Sequence, residues 1–124
     1  MEVGLQVLRN QQALGIYPEG TRSPDGQLYK FRTGVARLAL RSGAPVIPVG
    51  LIGTRDVKPP AGYRWHRRPV AIHFGAPLDF SGRAADERSA KSLREVAEQI
   101  RQAVQALSGQ VYVDAYAPTT KVGS

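Results

Sequence analysis

The chain has 124 residues, no cysteine, and 17 Lys and Arg against 10 Asp and Glu, a formal charge of +7. That length suits one domain. The missing cysteines exclude disulfides, a thiolate nucleophile and a Cys-ligated metal, and the excess positive charge favours anionic partners: phosphorylated metabolites, anionic lipid surfaces or nucleic acid.

Leu5 and Leu8, three apart, read as the end of a helix that stops near Asn10. No signal peptide pattern is visible in the first twelve residues. Leu14 to Tyr17 is a short apolar run ended by Pro18, and it predicts a strand. Pro18 to Thr33 then reads as a loop, with Ser23-Pro24-Asp25-Gly26 as a turn. Gly34 to Ser42 reads as a helix: Val35, Leu38 and Ala39 share one face, and Gly43 supplies the stop.

Val46 to Ile52 is a nearly continuous apolar run, the pattern of a strand buried on both faces in a parallel sheet. Pro48 cannot donate to a ladder, so an edge position or a bulge is expected there. Gly53 to Pro69 is a basic loop. Val70, Ile72 and Phe74 alternate with Ala71 and His73 as a second strand. From Asp86 to Leu107, the residues Leu93, Val96, Ala97, Ile100 and Val104 form the apolar stripe of a long helix ended by Ser108-Gly109. Val111 to Tyr116 reads as extended, and 118–124 as a mobile tail. The most apolar stretch, Ala44 to Gly53, is ten residues long, half the ~20 that a membrane span needs.

Strand, helix and strand between residues 14 and 52 predict a right-handed βαβ crossover. Ligands of open α/β sheets gather beyond the carboxyl ends of strands, which directs attention to Tyr17-Pro18-Glu19-Gly20-Thr21-Arg22-Ser23. Gly20 permits close backbone approach. Thr21 and Ser23 offer hydroxyls, and Arg22 offers a planar fork that matches phosphate. Glu19 can hold Arg22 or a helix end in place. Residue types alone fit an anion site and a solvated turn with a surface arginine equally well.

The string Pro-Glu-Gly-Thr-Arg-Ser after an apolar run resembles the third conserved block of the glycerolipid acyltransferases, in particular the 1-acylglycerol-3-phosphate O-acyltransferases. Lys30-Phe31-Arg32-Thr33-Gly34 resembles the family's basic stretch before its next helix. Gly43-Ala44-Pro45-Val46-Ile47-Pro48-Val49 resembles the fourth block, and Phe74-Gly75-Ala76-Pro77-Leu78 the later strand and loop. The resemblance runs from about Leu5 to about Leu107.

The resemblance implies an α/β fold: an open mixed, mostly parallel sheet with flanking helices. It implies transfer of a fatty acyl group from acyl-CoA or acyl-carrier protein to lysophosphatidic acid, giving phosphatidic acid, with no cofactor beyond the acyl donor. Glu19, Gly20, Thr21 and Arg22 fall in the acceptor-phosphate block. Ser23, Lys30 and Arg32 are further candidates for the same anion, and Pro48 shapes the acyl-donor side. An anionic membrane surface is the expected partner and the cytoplasmic side of the plasma membrane the expected place.

The family's catalytic block is a His, four residues, then an Asp; the His is general base and the Asp orients it. Of the two histidines here, His66 is followed at that spacing by Ala71 and His73 by Leu78. Neither is assigned to catalysis. Residues 1–117 are therefore expected to form the C-terminal portion of one acyltransferase domain, truncated at the N-terminus and inactive alone. Two rival readings stand beside this one. The first is a non-catalytic binder of lipid phosphates or anionic membranes, with Trp65 among Arg64, Arg67 and Arg68 at the headgroups. The second is a nucleic-acid module using Tyr63 and Trp65 in the Arg55 to Arg68 loop.

Overall fold

The computed structural model describes residues 2–21, 25–53 and 70–118. The basic loop of residues 54–69, including His66, lies outside the described residues, as does nearly all of the tail.

Helix α1 spans Glu2–Arg9 and buries Leu5. It ends where Asn10 and Gln11 turn the chain, Gln11 with a positive φ of 59°. The chain then folds back, for Leu14 Cδ2 would lie 3.2 Å from a Cβ placed on Gly4. The strand expected at Leu14 to Tyr17 does not form: the segment joins no ladder among the described residues. A strand exists through its ladder, and no neighbour donates one here. Leu14, Ile16 and Tyr17 stay 37%, 41% and 72% exposed. The βαβ crossover falls with it.

Strand β1 is Leu28–Tyr29, inside the stretch read as loop. Helix α2 is Gly34–Ser42, closed by Gly43 at φ 68°, whose N–H bonds Ala39 O. Strand β2, Val49–Ile52, pairs antiparallel with β3, Ala71–Phe74. The expected parallel neighbour is replaced by this hairpin-like partner. Pro48 falls in the break between an isolated Val46–Leu78 bridge and β2, and its carbonyl accepts from Gly75 N–H at 2.9 Å. A residue with no N–H can still accept, so the proline interrupts the strand without ending it.

A 3₁₀ turn, Ala84–Arg88, precedes the long helix α3, Ala90–Ser108. The helix starts four residues later than expected because Ser89, extended at ψ 117°, is its N-cap: the hydroxyl accepts from Ser92 N–H at 3.2 Å. Gly109 closes it in the left-handed region. Strand β4, Tyr112–Val113, pairs parallel with β1. The α/β class is as read. Among the described residues the strands form two two-stranded sheets, one parallel and one antiparallel, rather than one mostly parallel sheet.

The core lies where α2 and α3 pack over β1. Phe31, Ala36, Leu40, Phe80, Val96 and Ile100 are at most 2% exposed. Ion pairs from Arg41 and Arg37 to Glu87 lash α2 to the 3₁₀ turn. The Arg41 hydrogen bond holds the Glu87 carboxyl below its usual range and raises Arg41 in turn. Sheet β2–β3 meets the end of α3 at two glycines. A Cβ on Gly50 would lie 2.8 Å from Leu107 Cβ and 2.9 Å from Ser108 N, and one on Gly75 would lie 2.9 Å from Pro48 Cγ. Only glycine allows this close approach.

Candidate functional site: a glycine turn at an apolar cleft

An open cleft of about 1310 Å³ runs between the segment after α1 and strand β2. Leu14, Ile16, Tyr17, Glu19 and Thr21 form one wall, Pro48, Val49 and Leu51 the other, and Phe31, Val35 and Val104 line it between them. Its surface is mostly apolar, with Glu19 and Thr21 among its polar lining residues.

The loop is held by backbone bonds. Gly20 N–H donates to Tyr17 O at 3.0 Å, closing a turn through Pro18 and Glu19, and Gly20 sits at φ +80°. Most side chains avoid that torsion, which is the local reason for glycine. Pro18 O accepts from Arg32 N–H at 2.9 Å. Glu19 grips β1: its Oε2 accepts from Tyr29 N–H at 2.9 Å. Burial pushes the Glu19 carboxyl up, the Tyr29 bond draws it back, and Asp25 nearby raises it further. Asp25 itself accepts from Gln27 N–H at 3.0 Å and from the Tyr29 hydroxyl at 2.7 Å. That hydrogen bond raises the Tyr29 phenol.

The expected site residues divide. Glu19, Thr21 and Pro48 line the same cleft. Gly20 shapes the turn between the first two. Arg22 and Ser23 lie outside the described residues. Lys30 and Arg32 do not line the cleft; they flank the Tyr116 ring, with Lys30 Nζ at 5.1 Å and Arg32 Cζ at 4.6 Å from its centroid. Arg32 also packs on the outside of the turn, for a Cβ on Gly20 would lie 2.9 Å from its Nε. His73, facing Gly50 across the β2–β3 ladder, is not a cleft residue either.

Sequence reasoning missed Tyr116 and Arg94. Arg94 reaches from α3 to donate to Phe31 O at 2.7 Å and to the Tyr116 hydroxyl at 3.4 Å. Neither contact leaves a local signal, since the partners are distant in sequence. No group of three or more metal-ligating side chains is found among the described residues. No described helix is long and apolar enough to cross a membrane.

The α/β fold that carries this glycine turn and apolar cleft is similar to that of a solved acyltransferase. Residues 1–52 match the family model described as Acyltransferase. A crystal structure of the 1-acyl-sn-glycerophosphate acyltransferase PlsC from Thermotoga maritima superimposes with a TM-score of 0.65 at 30% identity, over 86% of this chain and 43% of that one. More particularly, the chain is similar to 1-acyl-sn-glycerol-3-phosphate acyltransferases. It is 32% identical over 77 residues to that of Cocos nucifera, and 34% identical over 67 residues to that of Pseudomonas aeruginosa. These matches take in 62% and 54% of this chain but only 25% and 26% of the relatives' length. The resemblance drawn from the motif residues is thus confirmed.

Proposed function

We propose that this chain supplies the acceptor-phosphate side of a 1-acylglycerol-3-phosphate O-acyltransferase of phospholipid biosynthesis. The observation that carries the reading is that Glu19 and Thr21, on either side of the turn glycine Gly20, line an apolar cleft that Pro48 also lines. A phosphate headed by a fatty chain asks for that combination: polar donors at one end, apolar walls behind. Arg22 takes the phosphate as a bidentate donor, Thr21 adds a hydroxyl, and Ser23 stands beside them. Lys30 and Arg32 lend positive field from outside the cleft. Pro48 shapes the acyl-donor side through the break it makes before β2.

The acyl donor is acyl-CoA or acyl-carrier protein, and no other cofactor takes part. The acceptor is lysophosphatidic acid at an anionic membrane surface, on the cytoplasmic face of the plasma membrane, where the net positive charge of the chain assists. Residues 1–117 act as one portion of the acyltransferase domain. The chain alone transfers no acyl group, because neither of its histidines carries the His-four residues-Asp spacing.

Titration with nonionic micelles carrying lysophosphatidic acid tests the site. A hydrogen-bonded charge pair is worth about 1.5–3 kcal/mol, so Arg22→Ala should weaken binding roughly tenfold or more. Micelles carrying phosphate-free monoacylglycerol should bind weakly to both proteins. Equal binding of the two micelle types, indifferent to Arg22→Ala, would overturn the reading.

A further inference from the structure

Lys30 and Arg32 carry positive charge, yet neither has a carboxylate within ion-pair distance among the described residues. Arg37, Arg41, Arg83, Arg94 and Arg101 all do. What holds Lys30 and Arg32 instead is one ring. After β4 the chain crosses back over the β1–α2 connection, and Lys30 N–H donates to Ala115 O at 2.9 Å. That bond delivers Tyr116 beside both cations, 5.1 Å and 4.6 Å from its centroid. An aromatic face attracts cations at this range through its quadrupole.

The ring is itself fixed. Arg94 donates from Nη1 to the Tyr116 hydroxyl at 3.4 Å and from Nη2 to Phe31 O at 2.7 Å. Its Nε is buried with no hydrogen-bond partner. A guanidinium tolerates that exposure to an apolar setting only when its other donors are well used, so Arg94 is committed to this place. On the far side, the Arg32 side chain lies against the Gly20 turn, and its backbone N–H holds Pro18 O. A continuous line of contacts therefore runs from α3 through Tyr116 and Arg32 to the Gly20 turn.

We propose that Tyr116 is a positioning residue of the acceptor loop. Its ring face sets the Arg32 guanidinium, with Lys30 beside it, against the Gly20 turn, and so fixes the angle at which the loop meets an anionic headgroup. Tyr116 does not touch the ligand. The inference rests on reading Glu19 to Arg22 as the phosphate site.

The test measures the affinity of the 124-residue chain for lysophosphatidic acid in nonionic micelles. Tyr116→Leu should weaken binding about fivefold, the order that cation–π contacts at an exposed ring carry. Tyr116→Phe, which keeps the ring, should stay within about twofold of the parent. Phenylalanines of increasing fluorine content at position 116 keep the shape and drain the negative ring face. Across that series affinity should fall stepwise, which a purely structural role would not produce. The series also keeps the test valid if Tyr116→Leu fails to fold. A flat fluorine series overturns the inference, as does parent-like binding by Tyr116→Leu when Arg22→Ala is impaired. If Arg22→Ala and phosphate removal change nothing, the phosphate-site reading falls first and the role of Tyr116 falls with it.

Discussion

Sheet β1–β4 is tied by two residue pairs and sheet β2–β3 by four, yet the shorter sheet is the better protected. Leu28 and Tyr29 are buried on one side of the parallel pair. Its other strand is clasped from α3: Arg101, only 7% exposed, has its Cζ 3.7 Å from the Tyr112 ring centroid and bonds Glu98 and Gln105. Gln110 adds a bond from its side chain to Gly26 O at 2.9 Å. The antiparallel sheet shows the reverse. Ile52, Ile72 and Phe74 are 41%, 57% and 71% exposed, although all three lie in a regular ladder. Backbone pairing satisfies N–H and C=O groups in either sheet. What differs is where side chains find cover, and burial rather than pairing decides which region anchors the molecule.

The contrast can be broken by substitution. Phe31→Ala removes a 1% exposed ring from the protected region and should lower stability by about 3–5 kcal/mol in urea unfolding. Gly50→Ala attacks the seam between the two regions. Its new methyl would meet backbone atoms of α3 at 2.9 Å, and overpacking of this kind costs about 1–3 kcal/mol. The acid limb of stability sharpens the picture of the protected side. Glu87 is held below 4.5 by the Arg41 hydrogen bond first and then by the charges of Arg41, Arg37 and Arg88. A depressed carboxyl stabilises the fold above its unfolded value and loses that contribution as pH falls through the folded one. Glu87→Gln should therefore flatten the decline seen in urea midpoints below pH 4.5. Glu19, raised by burial, runs the other way: its contribution is complete below 4.5 and fades as pH rises through its folded value.

The smallest effect belongs to the open sheet. Phe74→Ser should change stability by no more than about 0.5 kcal/mol. A loss as large as that of Phe31→Ala would mean that this face is covered in solution and the contrast is wrong.

Legibility in the sequence follows the same division. Helix α2 and the end of α3 could be read because left-handed glycines, Gly43 and Gly109, punctuate them. The start of α3 was obscured because Asp86 and Glu87 look like a first helical turn but belong to the 3₁₀ turn before the Ser89 cap. Leu14 to Tyr17 has a strand's composition without a strand's partner. Strand β1 has only two residues, too few for any period to register. At the cleft, the turn at Gly20 was legible because glycine follows Pro18 and Glu19, and its neighbours Glu19 and Thr21 do line the cleft. Tyr116 and Arg94 were not, since their importance comes from being brought to Phe31 and Arg32 by the fold.

The parallel pairing of β1 with β4 also has a consequence in time. Gln110 meets Gly26 across 84 residues, and Tyr29 waits for Val113. When a ribosome has delivered the Gly20 turn and β1, strand β4 has not yet been translated. Contacts so far apart in sequence are slow to close. Strand β1 thus gains its ladder only once β4 has emerged.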